Sequence, residues 1–198
     1  MKAVSSIFSI IVSLIVAVAV IGASIYAYLQ YQSLTSPSSS STTATTGPSQ
    51  IPLKYDTSTK TVYIVLVTTT TGPTFNFNNT NFGHMIIYVP AGSNLNLTFI
   101  NQQSIPHNLV LVQNTTAVPD SPDISRDGKI LLEVGTSMSN YQYSGPSGGQ
   151  SASGVYDSIP AGVYWLACGI AGHAQSGMWV DLVASQNVSS PYVVVQSA

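Results

Sequence analysis

The sequence predicts an all-β domain, a Greek-key sandwich or barrel, preceded by one N-terminal transmembrane helix. Three observations point there. Seven short segments between residues 60 and 184 are rich in Val, Ile, Leu, Thr and Tyr. Several of them alternate apolar with polar residues, the period of a half-buried strand. Turn residues separate these segments, and no stretch beyond the N-terminus keeps a helical apolar period. The first 31 residues, by contrast, are almost continuously apolar.

The N-terminal element comes first. After Lys2 no charged residue occurs before Lys54. The run from Val4 to Tyr28 is long enough to span a bilayer, which takes about 20 mainly apolar residues. A cleaved signal peptide has an apolar core of only about 7–15 residues. Apolar sequence also continues past "GAS" (Gly22 to Ser24), so residues 1–31 are expected to remain as an anchor. With Lys2 as its one flanking charge, the N-terminus is placed in the cytoplasm and the rest of the chain outside. Residues 32–53 are dominated by Ser, Thr and Pro, a composition that builds no core and serves as a solvated tether.

Residues 54–198 form the expected domain. The predicted strands are Lys60–Thr70, His84–Pro90, Asn94–Asn101, His107–Gln113, Lys129–Gly135, Ala161–Cys168 and Met178–Ala184. They are expected to pair antiparallel. Between Ser137 and Gly154 the sequence is Gly-, Ser- and Tyr-rich and reads as a long loop. Four N-x-S/T sequons, at Asn78, Asn96, Asn114 and Asn187, are plausible glycan sites on an exported domain.

Only 6% of the 198 residues are charged, and the net charge is −2. A nucleic-acid partner would need a basic patch, which this chain does not supply. Few carboxylates also means little stability lost when acid protonates them, which points to an acidic milieu.

The chemistry gathers in "CGIAGHAQSGM", Cys168 to Met178, which contains the single cysteine of the chain. An unpaired cysteine outside the cytoplasm is a buried hydrophobe, an intermolecular link or a working thiolate. Here "GIAG" lets His173 fold back beside Cys168, and "AQSG" returns Met178 to the same point. Thiolate, imidazole and thioether suit copper in both oxidation states. Zinc would take a fourth strong ligand instead. Two histidines, one cysteine and a long axial methionine make a blue-copper electron-transfer site. Of the two remaining histidines, His107 opens an apolar strand in "SIPHNLVLV", where Asn108 can brace the opposite loop. His84 reads as an ordinary exposed or hydrogen-bonded residue. The expected ligands are therefore His107, Cys168, His173 and Met178.

The pattern "VPAGSNLNLTFINQQSIPHNLVLV", followed by "YWLACGIAGHAQSGMWV", resembles the cupredoxin family of small blue copper proteins. The spacing is similar to its long-loop members from acidophiles, such as rusticyanin. The anchor, tether and low charge are similar to the sulfocyanin branch of archaeal thermoacidophiles. The resemblance, over about Lys60 to Ala184, implies an eight-stranded Greek-key sandwich with one type 1 copper at one pole. It implies His107, Cys168 and His173 as equatorial ligands, Met178 as the axial one, and a terminal haem-copper oxidase as electron acceptor.

The functional expectation is thus a membrane-anchored electron carrier of a respiratory chain, with no small-molecule substrate and its copper domain on the extracytoplasmic side. No G-x-S-x-G nucleophile elbow is present. The alternatives are a copper-dependent oxidase or nitrite reductase component, its second copper completed by another chain through His84, and a copper chaperone or store. Electrons are expected to pass near His173, through a neutral patch of Ile170, Ala171, Gly172, Ala174 and Gly177 with Pro106 across the site. The bland reading of those small residues is that tight loops demand them.

Overall fold

The computed structural model describes residues 49–196. The expected transmembrane helix and most of the expected tether lie outside the described residues. Among the described residues no helix is long and apolar enough to cross a membrane.

Eleven strands are present: β1 (Gln50–Pro52), β2 (Lys54–Asp56), β3 (Thr61–Thr68), β4 (Met85–Pro90), β5 (Asn94–Asn101), β6 (Leu109–Asn114), β7 (Gly128–Val134), β8 (Ser151–Tyr156), β9 (Gly162–Ala167), β10 (Trp179–Ser185) and β11 (Tyr192–Val195). They form a seven-stranded sheet, ordered β1-β11-β4-β10-β9-β6-β7, and a four-stranded sheet, ordered β2-β3-β5-β8. The result is a sandwich of two open sheets. The barrel expected as the other possibility does not close among the described residues.

All seven predicted strands are present, with ends shifted by no more than two residues. Their alternation is real: Val62, Ile64 and Leu66 of β3 and Leu95, Leu97 and Phe99 of β5 all point into the core. Met85, Ile87 and Val89 of β4 and Val180, Leu182 and Ala184 of β10 meet them from the other sheet. Each large apolar side chain so buried contributes about 1.5–3 kcal/mol.

Three expectations need correction. Pairing is mixed, because β3 runs parallel to β5 and β4 runs parallel to β10. The chain passes from β3 to β4 in the opposite sheet before returning to β5, and such a crossover is what parallel neighbours require. The strand count is eleven instead of the implied eight. The 137–154 loop also ends in a strand, since Ser151–Ile100 through Tyr156–Leu95 form the β8–β5 ladder. As an edge strand β8 buries no continuous stripe, and its exposure alternates only between full and partial. β1 likewise falls in the last residues read as tether, where it pairs with β11.

The outer face of the large sheet carries a second, smaller core. Val110, Val112, Trp165, Ala167 and Trp179 pack there with Ile124, Tyr141 and Ala174 from the loops. This is why β6 is buried on both faces from Leu109 to Val112. The loops that cover this face also reach the end of the sandwich where Cys168 sits. Of the sequons, Asn78 and Asn187 are exposed, whereas Asn96 and Asn114 are half-buried.

Candidate metal centre

Cys168 follows directly on β9, and Trp179 opens β10 beside it. The two strands are paired, with Ala167 opposite Trp179. One further bond, from Cys168 N–H to Met178 O at 3.0 Å, closes the base of the intervening loop. Within the loop, His173 N–H donates to Ile170 O at 3.0 Å, and Met178 N–H donates to His173 O at 3.0 Å. The loop is thus folded on itself by its own backbone. Gly177 makes the last turn at φ +103, and a Cβ there would come within 2.6 Å of the Phe82 ring. Only glycine fits that position without strain.

His107 arrives from the other side, one residue before Asn108 and two before β6. The three side chains converge. His107 Nδ1 is 3.2 Å from His173 Nδ1 and 3.8 Å from Cys168 Sγ, and His173 Nδ1 is 3.4 Å from Cys168 Sγ. Among the described residues this is the one group of His, Cys, Asp and Glu gathered closely enough to hold a metal. A point equidistant from the corners of that triangle lies about 2 Å from each, which matches metal–imidazole bonds of about 2.0–2.1 Å and is slightly short of the roughly 2.3 Å to thiolate. The donor set therefore fits one first-row metal ion, and its softness selects copper. His107, Cys168 and His173 form a candidate site for one type 1 copper ion. His84 stands apart from the group, as expected. Met178 is fully buried and belongs to the same core cluster as Cys168.

Burial sets the electrostatics. Cys168 is fully buried, which pushes its thiol up to about 12, although backbone groups at Asn108 and Ile170 favour the thiolate. Burial pulls His107 down to about 4, helped by the neighbouring His173. Burial also lowers His173. Two neutral imidazoles and a thiol thus face one another, and a cation is what would draw the thiol proton away.

Asn108 does what its position suggested. Its Nδ2 donates to Tyr141 O at 2.7 Å and Ser144 O at 2.8 Å, and its Oδ1 accepts from Gly169 N–H at 2.7 Å. The Ser137–Gly154 loop, which had no assigned role, is therefore a buttress. Pro146 O accepts from His107 N–H at 3.3 Å and Gln142 O from Ala171 N–H at 3.1 Å, so the loop grips both halves of the ligand set.

Family comparison decides the affiliation. The model described as the Sulfocyanin (SoxE) domain matches residues 48–195, and the one described as Sulfocyanin, N-terminal matches residues 1–47. The chain belongs to the sulfocyanin family. The sulfocyanin of Sulfolobus acidocaldarius is 54% identical over 143 residues, covering 71% of this chain and 72% of that protein. The expected family resemblance is borne out. Among solved structures, rusticyanin from Thiobacillus ferrooxidans is 24% identical, over 64% of this chain and 78% of its own, with a TM-score of 0.47. Auracyanin A of Chloroflexus aurantiacus, described as a "blue" copper protein, is 20% identical over 63% and 99%, with a TM-score of 0.44.

Around this sulfocyanin site, two features were not legible beforehand. Phe75 lies against the His173 ring, with centroids 4.7 Å apart, and Gln103 Oε1 sits 2.9 Å from His107 Nε2. Phe75 comes from a segment remote in sequence and Gln103 from only four residues before His107, and no periodicity marks either. The surface expected near His173 also changes. Ala174 and Gly177 are buried and cannot belong to it. Ala171 and Pro106 are exposed, and Phe82 and Ile105, 52% and 41% exposed, join them as large apolar groups.

Proposed function

We propose that this protein carries single electrons on one copper ion, which His107, Cys168 and His173 would hold with Met178 as a weaker fourth donor. The convergence of three buried or half-buried donor atoms on one metal-sized point supports the reading most directly. Copper held there would supply a one-electron Cu(II)/Cu(I) couple. The protein's part is to hold the donors still. Cys168, His107 and Met178 are inaccessible to water, and the 168–178 loop is cross-braced by its backbone. A set closed by four side chains leaves no position for a substrate, which favours a carrier over an oxidase or reductase. His173 is half-buried and is the ligand nearest solvent, so electrons enter and leave beside it.

The wider setting is part of the same proposal. Residues 1–31 anchor the protein in the cell membrane, and residues 32–53 tether the copper domain on the extracytoplasmic side. A respiratory redox complex, a terminal haem-copper oxidase, accepts the electron. Absorption and EPR spectra of the copper-loaded protein provide the test. Thiolate-to-copper charge transfer should make it intensely blue or blue-green, and Cys168→Ser should abolish the band. A Cys168→Ser protein that keeps the same band would overturn the assignment.

A further inference from the structure

His107 faces the site with one ring nitrogen and is held by the other. Its Nε2 lies 2.9 Å from Gln103 Oε1. A glutamine can present either end of its amide to an imidazole, and each end selects a different tautomer. The surroundings make that choice here. Gln103 Nε2 lies 2.7 Å from Thr69 O and 2.9 Å from Thr74 O, and carbonyl oxygens can only accept. The amino end must therefore face the Thr69–Thr74 loop, and the oxygen must face the ring. His107 Nε2 then carries the proton, which leaves the Nδ1 lone pair directed at Cys168 and His173.

The amide is anchored in turn. Gln103 N–H donates to Asn101 Oδ1 at 2.9 Å, and Asn101 is itself fully buried and hydrogen-bonded to Thr68, Ile105 and Pro146. Thr69 O also accepts from the buried Asn76 Nδ2 at 3.0 Å. The residue before Asn76 is Phe75, the ring that lies on His173. One loop, Thr69–Asn76, thus holds Gln103 against His107 and sets the Phe75 ring beside His173.

We infer that Gln103 is a positioning residue for the metal: it fixes the Nε2–H tautomer of His107, so the Nδ1 lone pair is in place before an ion arrives. This rests on His107 being a copper ligand. Outer partners of metal-bound histidines typically contribute about 10–100-fold in affinity.

Two substitutions separate positioning from mere packing. Gln103→Met fills similar volume without hydrogen bonds. Gln103→Glu keeps an acceptor for His107 Nε2–H but sets a carboxylate oxygen against Thr69 O and Thr74 O. The full chain, with its three histidines labelled with nitrogen-15, would be studied metal-free by NMR in detergent micelles. Its Cu(I) affinity would be measured by competition with a chromogenic chelator. Wild type should show His107 as the Nε2–H tautomer. Gln103→Met should give mixed tautomers and a Cu(I) affinity about 10–100-fold weaker, whereas Gln103→Glu should keep the tautomer. A wild-type His107 protonated at Nδ1 would overturn the inference, as would a Gln103→Met protein with wild-type tautomer and affinity within twofold. If Gln103→Met does not fold, the tautomers of wild type and Gln103→Glu decide: either one protonated at Nδ1 refutes it. Failure of the copper reading shows separately, as a wild-type protein without the thiolate–copper band.

Discussion

Replacing Asn108 with alanine should unfold the protein far more readily than any surface change. Asn108 is fully buried, and its amide completes three backbone groups: Tyr141 O, Ser144 O and Gly169 N–H. Alanine removes the partner of all three. Each buried polar group left unpaired costs about 1–3 kcal/mol, so losing the partner of three should cost about 3–9 kcal/mol. A domain of this size is typically stable by only about 5–15 kcal/mol. Urea unfolding of the metal-free protein, followed by tryptophan fluorescence, measures the change. With a slope of about 1–3 kcal/mol/M, the midpoint should fall by on the order of 2 M. Asn114→Ala is the control, because its side chain, at the end of β6, makes only one solvent-exposed 3.3 Å bond, to Thr116 O. It should change stability by less than about 0.5 kcal/mol. A loss below about 1 kcal/mol for Asn108→Ala would show that the 137–154 loop is not held to the ligand segments through this residue.

Two further outcomes are expected. Asp181 is half-buried, and burial raises its carboxyl from 3.8 to about 6, partly offset by the Trp165 indole. The folded protein therefore holds this proton more tightly than the unfolded chain does. Its contribution is complete below about pH 4 and is lost as pH rises through about 6. The urea midpoint of wild type relative to Asp181→Asn should fall across that window, and a constant difference between them from pH 3 to 7 would refute the shift. Met178→Gln replaces a soft thioether with a harder oxygen donor, which favours Cu(II). Protein-film voltammetry should find copper still bound at a lower potential, with Met138→Leu, at an exposed position, unchanged. An unmoved potential in Met178→Gln would remove the methionine from the site.

Sequence by itself determined whatever depends on neighbours along the chain. The strands of the core were legible because alternation is a local property, fixed by the pleat and by which face is dry. Cys168 and His173 were legible as a pair because a short loop with glycines at 169, 172 and 177 can do little but turn back on itself. His107 was separable from His84 because it opens an apolar strand, and the structure brings it to Cys168 and His173. The tertiary structure alone decided the rest. β8 forms because its backbone completes the β5 ladder, and its small side chains give no pattern to read. The grip of Tyr141, Ser144 and Pro146 on Asn108 and His107 joins residues more than thirty positions apart. Gln103 and Phe75 act through a few hydrogen bonds or ring contacts, which have no period and leave no trace in composition. Hydrophobic burial is additive and repeats along a strand, so a sequence displays it. A directional hydrogen bond between distant segments exists only once the chain has closed around it.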